Sequence, residues 1–356
     1  MSKFCNKFLI NFIKISVATL TVLTLTGCGK KQTEGFTAAC EQLENAEFFA
    51  AENGFRAAIE AGEDDLTSCY RGLGISLMGE NRYEEAVECF IEALHCSGSK
   101  PTDIDYDINY YLGVCYHKLG RYEEAKERYD AIIVLKPKET DAYMQRAVEN
   151  MYLDDMEAAG ADFDKALSLD KKNYTLYIDI YNLMKEAGHT DIGTGYLTEA
   201  LNENDKNMSD YDKGYINYCL GYYSTAKEYL EAARNDGKKD SNTLLLLGQC
   251  YEEMNERSFA INLYRKYLET SPDATVYNQL AVALMAEGRY EEAADATVAG
   301  IEIAESECRQ QLLFNRIVAY EYLGDFSKAN ELSAQYMVEY PYDETMARER
   351  LFLQTR

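Results

Sequence analysis

The clearest hydrophobic pattern in this 356-residue chain runs from Asn109 to Pro137. Apolar and small side chains recur there at helical spacing up to Leu119, a glycine follows, and a second helical pattern begins at Tyr122. This spacing places an apolar stripe on one face of each helix. Gly120 suits the left-handed turn that ends the first helix, and Pro137 suits the boundary after the second. The segment therefore predicts two antiparallel helices.

The same pattern repeats along the chain. A small residue, which we expect where the two helices pack most closely, recurs every 33 to 39 residues. These small residues are Ala51, Ala86, Ala125, Ala159, Gly193, Ala226, Ala260, Ala293 and Ala329. A large side chain four residues later would fill the gap beside each small one. Thr297 and Ser333 replace that large residue in the last two units, which therefore match less well. We predict nine repeats.

Turns and prolines follow the same phase. Pro137, Pro272 and Pro341 end their units, whereas Pro101 lies in a longer loop from Ser97 to Asp105. Glycines fall between the two helices at Gly120, Gly188, Gly221, Gly288 and Gly324. Repeat five is unusual, because Tyr181 occupies a normally small position.

This order of residues resembles the tetratricopeptide repeat, a helix–turn–helix unit of about 34 residues that stacks into a solenoid. The resemblance implies an all-α fold, a right-handed α-solenoid of about nine repeats over residues 36–341. Residues 342–356 are expected to form a C-terminal capping helix over the last hydrophobic face.

The first 27 residues have a different character. Lys3, Lys7 and Lys14 precede an uncharged run from Ile15 to Leu25. At ~1.5 Å per helical residue this run is too short to span a bilayer comfortably. A basic start followed by a short apolar segment is typical of a secretory signal peptide.

The residues Leu25-Thr26-Gly27-Cys28 resemble the bacterial lipobox. The resemblance implies that residues 1–27 are removed, that the Cys28 thiol carries diacylglycerol, and that residues 28–35 form the lipidated start and a polar tether. The alternative is an uncleaved membrane anchor with a chance cysteine. Both interpretations place the folded part outside the cytoplasm, attached to a bacterial membrane through Cys28 or the anchor.

The amino-acid composition limits the kinds of molecule that this chain is expected to bind. Apolar content of 47% and charged content of 27% are typical of a folded protein, and the net charge is −25. Such an acidic chain repels phosphate backbones and anionic lipid headgroups, so nucleic acid is not expected as a partner.

Candidate catalytic groups have structural explanations. The paired glutamates of the Arg-Tyr-Glu-Glu-Ala segments point about 100° apart on a helix and complement its positive N-terminal dipole. They are Glu84 and Glu85, Glu123 and Glu124, and Glu291 and Glu292. The sequence contains no nucleophile elbow, phosphate loop or dinucleotide fingerprint. We therefore expect no enzymatic activity.

Metal and cofactor sites are not predicted either. Asp103, Asp105 and Asp107 begin like a calcium loop, but Ile108 and Val114 stand where glycine and glutamate are needed. Two histidines and two cysteines could suggest a zinc site, namely His95, Cys96, Cys115 and His117. Within each helix, however, the histidine and cysteine side chains point in different directions, so they cannot chelate one ion. Eight cysteines follow Cys28, and we expect mostly free thiols, with one disulfide among the first five left open.

The resemblance does describe one surface. In this family, residues at i, i+4 and i+7 of each first helix line a concave groove, and we call the corresponding residues here the first-helix stripe. They are Arg71, Ile75, Met78, Tyr110, Val114, His117, Met144, Val148, Met151, Ile178, Asn182, Lys185, Tyr211, Tyr215, Tyr218, Leu245, Gln249, Glu252, Asn278, Val282, Met285, Phe314, Val318 and Glu321. Exposed tyrosine and methionine typically mark a binding surface. The alternative is that close packing of neighbouring repeats buries these side chains.

The expected function is that of a non-catalytic, lipid-anchored scaffold, which holds a peptide segment or protein partner in this groove at the cell envelope. The alternative is a lipid-anchored receptor for a small molecule or glycan, bound around Tyr211, Tyr215 and Tyr218.

Overall fold

The computed structural model describes residues 34–202, 208–238 and 240–356, and all regular structure in these ranges is helical. The helices are α1 Glu34–Glu44, α2 Phe48–Glu60, α3 Leu66–Gly79, α4 Tyr83–Cys96, α5 Asp103–Lys118, α6 Tyr122–Leu135, α7 Thr140–Tyr152, α8 Met156–Leu169, α9 Tyr174–Glu186, α10 Thr190–Asn202, α11 Asp210–Cys219, α12 Tyr223–Asn235, α13 Ser241–Glu253, α14 Arg257–Leu268, α15 Ala274–Ala286, α16 Tyr290–Ile303, α17 Ser306–Tyr322, α18 Phe326–Glu339 and α19 Glu344–Leu353. Helices α1 to α18 form nine consecutive pairs, which confirms the prediction of an all-α solenoid of about nine repeats. Helix α19 packs against α18 through Met346 and Leu353.

The described chain divides into two compact units, one up to Tyr196 and the other from Leu197 to Arg356. We call them the first unit and the second unit. Residues 1–33, which include the predicted signal peptide and Cys28, lie outside the described residues. Within the described ranges, no helix combines the length and apolar character needed to cross a membrane.

Size complementarity holds the two helices of a repeat together. A Cβ atom added at Gly113 would lie 2.5 Å from Tyr129 Cζ, and one added at Gly74 would lie 2.6 Å from Phe90 Cε1. Only glycine permits this approach, since real Cβ contacts are longer, and the aromatic ring of the second helix takes the vacated space. The repeating small residues are therefore a packing requirement.

Two repeats that match the pattern poorly reverse the sizes. In repeat nine, Ile317 stands where seven other repeats have glycine or alanine, and Ser333 is small and fully buried. Tyr336, three residues after Ser333, is buried in the same cluster as Ile317 and supplies the missing volume. In repeat five, Tyr181 is the large residue, and the second helix carries Gly193, where a Cβ would lie 3.1 Å from the Tyr181 carbonyl oxygen. In repeat nine the total side-chain volume is thus kept while its distribution changes.

Every repeat turns through one residue with positive φ. The five predicted glycines have φ between 70° and 84°. The other four repeats use Ala46, Asn81, Asp154 and Asn255, with φ between 58° and 61°. Asparagine and aspartate tolerate this left-handed conformation, whereas Ala46 adopts it at a cost of roughly 1 kcal/mol.

Candidate binding surface

The first-helix stripe is mostly interior in the first unit. Its buried members are Arg71, Ile75, Met78, Val114, His117, Met144, Val148, Met151 and Ile178. Val114 and Val148 are each only 1% exposed. Tyr110 and Asn182 are half-buried, and only Lys185 is exposed. These nine side chains pack inside the unit and present little area to a partner, which agrees with the alternative that neighbouring repeats bury them.

Polar members of the first-unit stripe pair across neighbouring repeats. Arg71 Nη2 donates to Asp107 Oδ2 at 2.8 Å, and the Arg71 side chain is only 4% exposed. Burial raises the pKa of the Asp107 carboxyl, while Arg71 opposes that rise. His117 Nδ1 lies 3.0 Å from both carboxylate oxygens of Glu149, which is fully buried. Burial also raises the pKa of Glu149, against the effect of the His117 hydrogen bond. Both pairs link one first helix to the next.

A partly buried network, which the repeat pattern did not predict, adds to these pairs. Arg146 Nε donates to Asp162 Oδ2 at 2.9 Å, and Arg146 Nη1 donates to Asp130 Oδ1 at 2.6 Å. Asn150 Nδ2 also donates to Asp162, at 3.0 Å. Arg146 itself indicates this network in the sequence, because it occupies the position held by Leu112 one repeat earlier. An arginine at an apolar core position requires buried carboxylates nearby.

In the second unit the stripe is accessible. Its apolar members are all half-buried, namely Tyr211, Tyr215, Tyr218, Leu245, Val282, Met285, Phe314 and Val318. The three tyrosines pack against a core that contains Leu230, Leu247 and Cys250, yet each retains solvent-exposed area. A partly exposed aromatic held by a rigid core loses little rotamer freedom on binding. Four successive first helices, α11, α13, α15 and α17, contribute to this part of the stripe.

The tyrosine rings at the start of the second-unit stripe lie close to one another and to a lysine. The rings of Tyr211 and Tyr215 are nearly parallel, with centroids 6.2 Å apart, and Tyr218 lies 5.6 Å from Tyr223. The Lys238 ammonium nitrogen lies over the Tyr211 ring, 3.5 Å from its centroid. Burial raises the pKa of Tyr211 and of Tyr218, so both hydroxyls stay protonated at neutral pH.

Amide side chains mark the far end of the stripe. Asn315 Nδ2 donates to Asn278 Oδ1 at 2.8 Å, and Asn278 Nδ2 donates to Gln311 Oε1 at 3.4 Å. Nearby, burial and the charge of Glu349 raise the pKa of Glu321 to about 7. The second-unit stripe thus combines apolar side chains, amides and a weakly acidic carboxyl.

The other candidate groups have structural roles. The second glutamate of each Arg-Tyr-Glu-Glu segment pairs with the arginine before its helix, as Arg121 Nε and Glu124 Oε1 do at 2.9 Å. Asp105 closes a capping box with Thr102 at the start of α5. Among the described residues, no group of three or more His, Cys, Asp or Glu side chains is arranged to hold a metal ion. The eight cysteines after Cys28 are free thiols, and burial raises the pKa of Cys250 to about 12.

Family models described as tetratricopeptide repeat match residues 71–140 and 245–305, and a second model with the same description matches residues 140–173. A TPR repeat-containing protein of Methanocaldococcus jannaschii, MJ1428, is 27% identical over 241 residues, 64% of this chain and 41% of that protein. BBSome complex member BBS4 of Xenopus tropicalis is 27% identical over 130 residues, 36% of this chain and 24% of that protein. This chain therefore spans about two fifths, or less, of these curated relatives.

Solved structures show the same kind of similarity. A tetratricopeptide repeat protein from Parabacteroides merdae shares 16% identity with a TM-score of 0.47, over 79% of this chain and 97% of that chain. YrrB, described as a TPR protein with an unusual peptide-binding site, shares 20% identity with a TM-score of 0.34, over 62% of this chain and 96% of that chain. Tetratricopeptide repeats generally act as non-catalytic scaffolds for protein–protein interaction. Residues 71–173 and 245–305 of this chain thus match models of the tetratricopeptide repeat.

Proposed function

We propose that this chain is a non-catalytic scaffold at the cell envelope that binds an extended segment of a protein partner along the second-unit stripe. The observation that carries the proposal is the partial exposure of tyrosine, leucine, valine, methionine and phenylalanine side chains across four successive first helices. A single small ligand would need only one repeat, whereas an extended peptide can contact all four.

The amides of Asn278, Asn315 and Gln311 support a peptide ligand. Each side-chain amide offers the same donor and acceptor pair as a peptide bond, so these groups can exchange their mutual hydrogen bonds for bonds to a bound backbone. The neighbouring Phe314 and Val318 would meet apolar side chains of that segment. Backbone and side-chain recognition are then provided by two successive first helices, α15 and α17.

The tyrosine end favours a peptide over a glycan. Sugar rings stack on open aromatic faces, but Lys238 already lies over the Tyr211 ring. Binding of a glycan there would have to displace an ammonium group that is held by the ring quadrupole.

Attachment to a membrane through Cys28 is part of the same proposal, and it is supported by the sequence Leu-Thr-Gly-Cys after a basic and apolar segment. Replacing Cys28 with serine should remove the lipid. Mass spectrometry should then show loss of the diacylglycerol mass, and the protein should move from the membrane fraction to the soluble fraction. Retention of the Cys28→Ser protein in membranes, with no change in mass beyond the substitution, would favour an uncleaved anchor.

The binding proposal is tested by capture from a detergent-solubilised envelope extract. The full chain is compared with the double variant Tyr211→Ser, Tyr215→Ser and with the control Tyr222→Ser, an exposed tyrosine outside the stripe. We expect the wild type and the control to capture the same protein, and the double variant to lose it while circular dichroism shows that it is still folded at the temperature of the capture. Equal capture by all three would contradict the stripe as the binding site. Saturable binding of a small molecule or glycan at the tyrosines, without protein capture, would support the receptor alternative.

A further inference from the structure

Helix α19 presents a face that is covered in every preceding first helix. Twelve residues before the small residue of each second helix, each repeat has a buried residue that faces its partner helix. These nine residues are Ala39, Gly74, Gly113, Ala147, Tyr181, Gly214, Gly248, Ala281 and Ile317. Leu351 follows Ile317 by 34 residues, one repeat length, and is 67% exposed. By register, Leu351 therefore marks the face that receives a second helix.

The rest of α19 agrees with this register. Met346 and Leu353 are 0% and 3% exposed and pack toward α18, as the corresponding residues of other first helices pack toward the preceding repeat. Phe352 is 44% exposed, and Tyr342, just before the helix, is 94% exposed. Among the described residues, no helix lies over Leu351. Three large apolar side chains are thus exposed within residues 342–352, and soluble proteins normally cover such side chains.

Charges on this face are self-complementary. Glu344 and Arg348 lie one turn apart, 3.4 Å from each other, with side chains 85% and 81% exposed. Ala347 lies between Glu344 and Arg348 in the sequence, one turn before Leu351, and its small side chain permits close approach of another helix. A helix that crosses α19 in the antiparallel direction near Ala347 would need an arginine opposite Glu344 and a glutamate opposite Arg348. A second α19 meets both requirements.

We propose that a second copy of this chain covers the face, with the two α19 helices packed antiparallel about a two-fold axis near Ala347. Glu344 of each copy then lies beside Arg348 of the other, and Leu351 of each approaches Tyr342 of the other. Such an isologous contact closes on itself, so it yields a dimer and no larger polymer. Each α19 then covers the exposed face of the other copy, and the dimer presents two second-unit stripes.

Sedimentation velocity of the full chain, in one mild detergent throughout, tests this dimer over a range of protein concentrations. The wild type should show a monomer–dimer equilibrium, and Leu351→Glu should be monomeric at the same concentrations. Glu344→Arg and Arg348→Glu should each weaken the dimer about tenfold or more, because each creates like charges across the axis. Since both side chains are more than four fifths exposed, circular dichroism and melting temperature should not change.

Mixing the two charge variants is the decisive measurement. Glu344→Arg has two arginines on this face and Arg348→Glu has two glutamates, so a heterodimer pairs both charges correctly. We expect the mixture to dimerise at least as tightly as the wild type. Recovery of the dimer in the mixture cannot come from the Glu344–Arg348 ion pair within one helix, since neither variant contains that pair. A monomeric wild type, a Leu351→Glu variant that still dimerises, or a mixture as weak as its components would each overturn the proposal.

Discussion

The two units use one repeat design but treat the first-helix stripe in opposite ways. Val114 and Val148 in the first unit lie eleven residues before the small residue of their repeats, and Val282 and Val318 in the second unit lie at the same position. The first two are 1% exposed, whereas the second two are partly exposed. The same residue at the same register thus packs in one unit and is accessible in the other. Position within a repeat alone does not make a residue part of a binding surface.

The stripes of the two units are built from different side chains. In the first unit, Arg71 binds Asp107 and His117 binds Glu149, so consecutive first helices are linked by polar pairs whose Arg71, His117 and Glu149 members are buried. Medium-sized apolar side chains fill the space around these pairs. The second-unit stripe contains three tyrosines and the amide cluster of Asn278, whose larger and more polar side chains reach solvent. The first-unit stripe contributes to stability, and the second-unit stripe retains area for a partner.

Of the changes that test this comparison, breaking the His117–Glu149 pair should reduce the stability of the folded chain most. Substitution of His117 by leucine leaves a fully buried carboxyl without its partner, and we expect a loss of roughly 3 kcal/mol or more in the free energy of unfolding. Chemical denaturation measures the loss. The double variant His117→Leu, Glu149→Gln removes the charge as well and should recover part of the stability. Equal stability of the wild type and His117→Leu would mean that the pair does not hold the first unit together.

The four valines provide a direct test of the comparison. Val148→Ala should cost about 2 kcal/mol, because two methyl groups are lost from a close-packed interior. Val318→Ala should cost less than about 1 kcal/mol, since solvent and small shifts fill the space. Partner capture should respond in the reverse order, with Val318→Ala reducing affinity and Val148→Ala leaving it unchanged. If the two alanine variants lost equal stability, the contrast between the units would be wrong.

The smallest expected effect concerns pH. Burial holds the folded pKa of Glu321 near 7, above its value of 4.5 in an unfolded chain. Between these two values the folded chain keeps a proton that the unfolded chain has released, so this contribution to stability falls as pH rises from 4.5 to 7. Glu321→Gln should therefore melt about 1–3 °C above the wild type at pH 8 and close to it at pH 5. Glu302→Gln, at an exposed glutamate of the same unit, controls for the loss of one charge. A difference from wild type that is independent of pH would contradict this interpretation.

Much of the fold could be read from the chain itself. The small residues, the turn glycines and the three repeat-ending prolines predicted nine helix pairs, because helix approach and left-handed turns place strict limits on side-chain size at fixed positions. The repeat pattern predicts less well where side-chain size is exchanged between positions. Ser333 matches the pattern poorly, yet the volume it lacks is supplied by Tyr336, which is buried in the same cluster as Ile317. A pattern read one position at a time cannot reveal such compensation, because the compensation depends on which side chains contact one another in the folded chain.

What the sequence alone determined was the repeat, its phase and its number, because these rest on local geometry that each residue satisfies with its neighbours along the chain. What only the tertiary structure decided was which members of the stripe are accessible. That outcome depends on pairs such as Arg71 with Asp107, which are 36 residues apart and belong to successive repeats. Burial is a property of the space between helices, and nothing in the spacing of residues along one helix fixes what its neighbours place there.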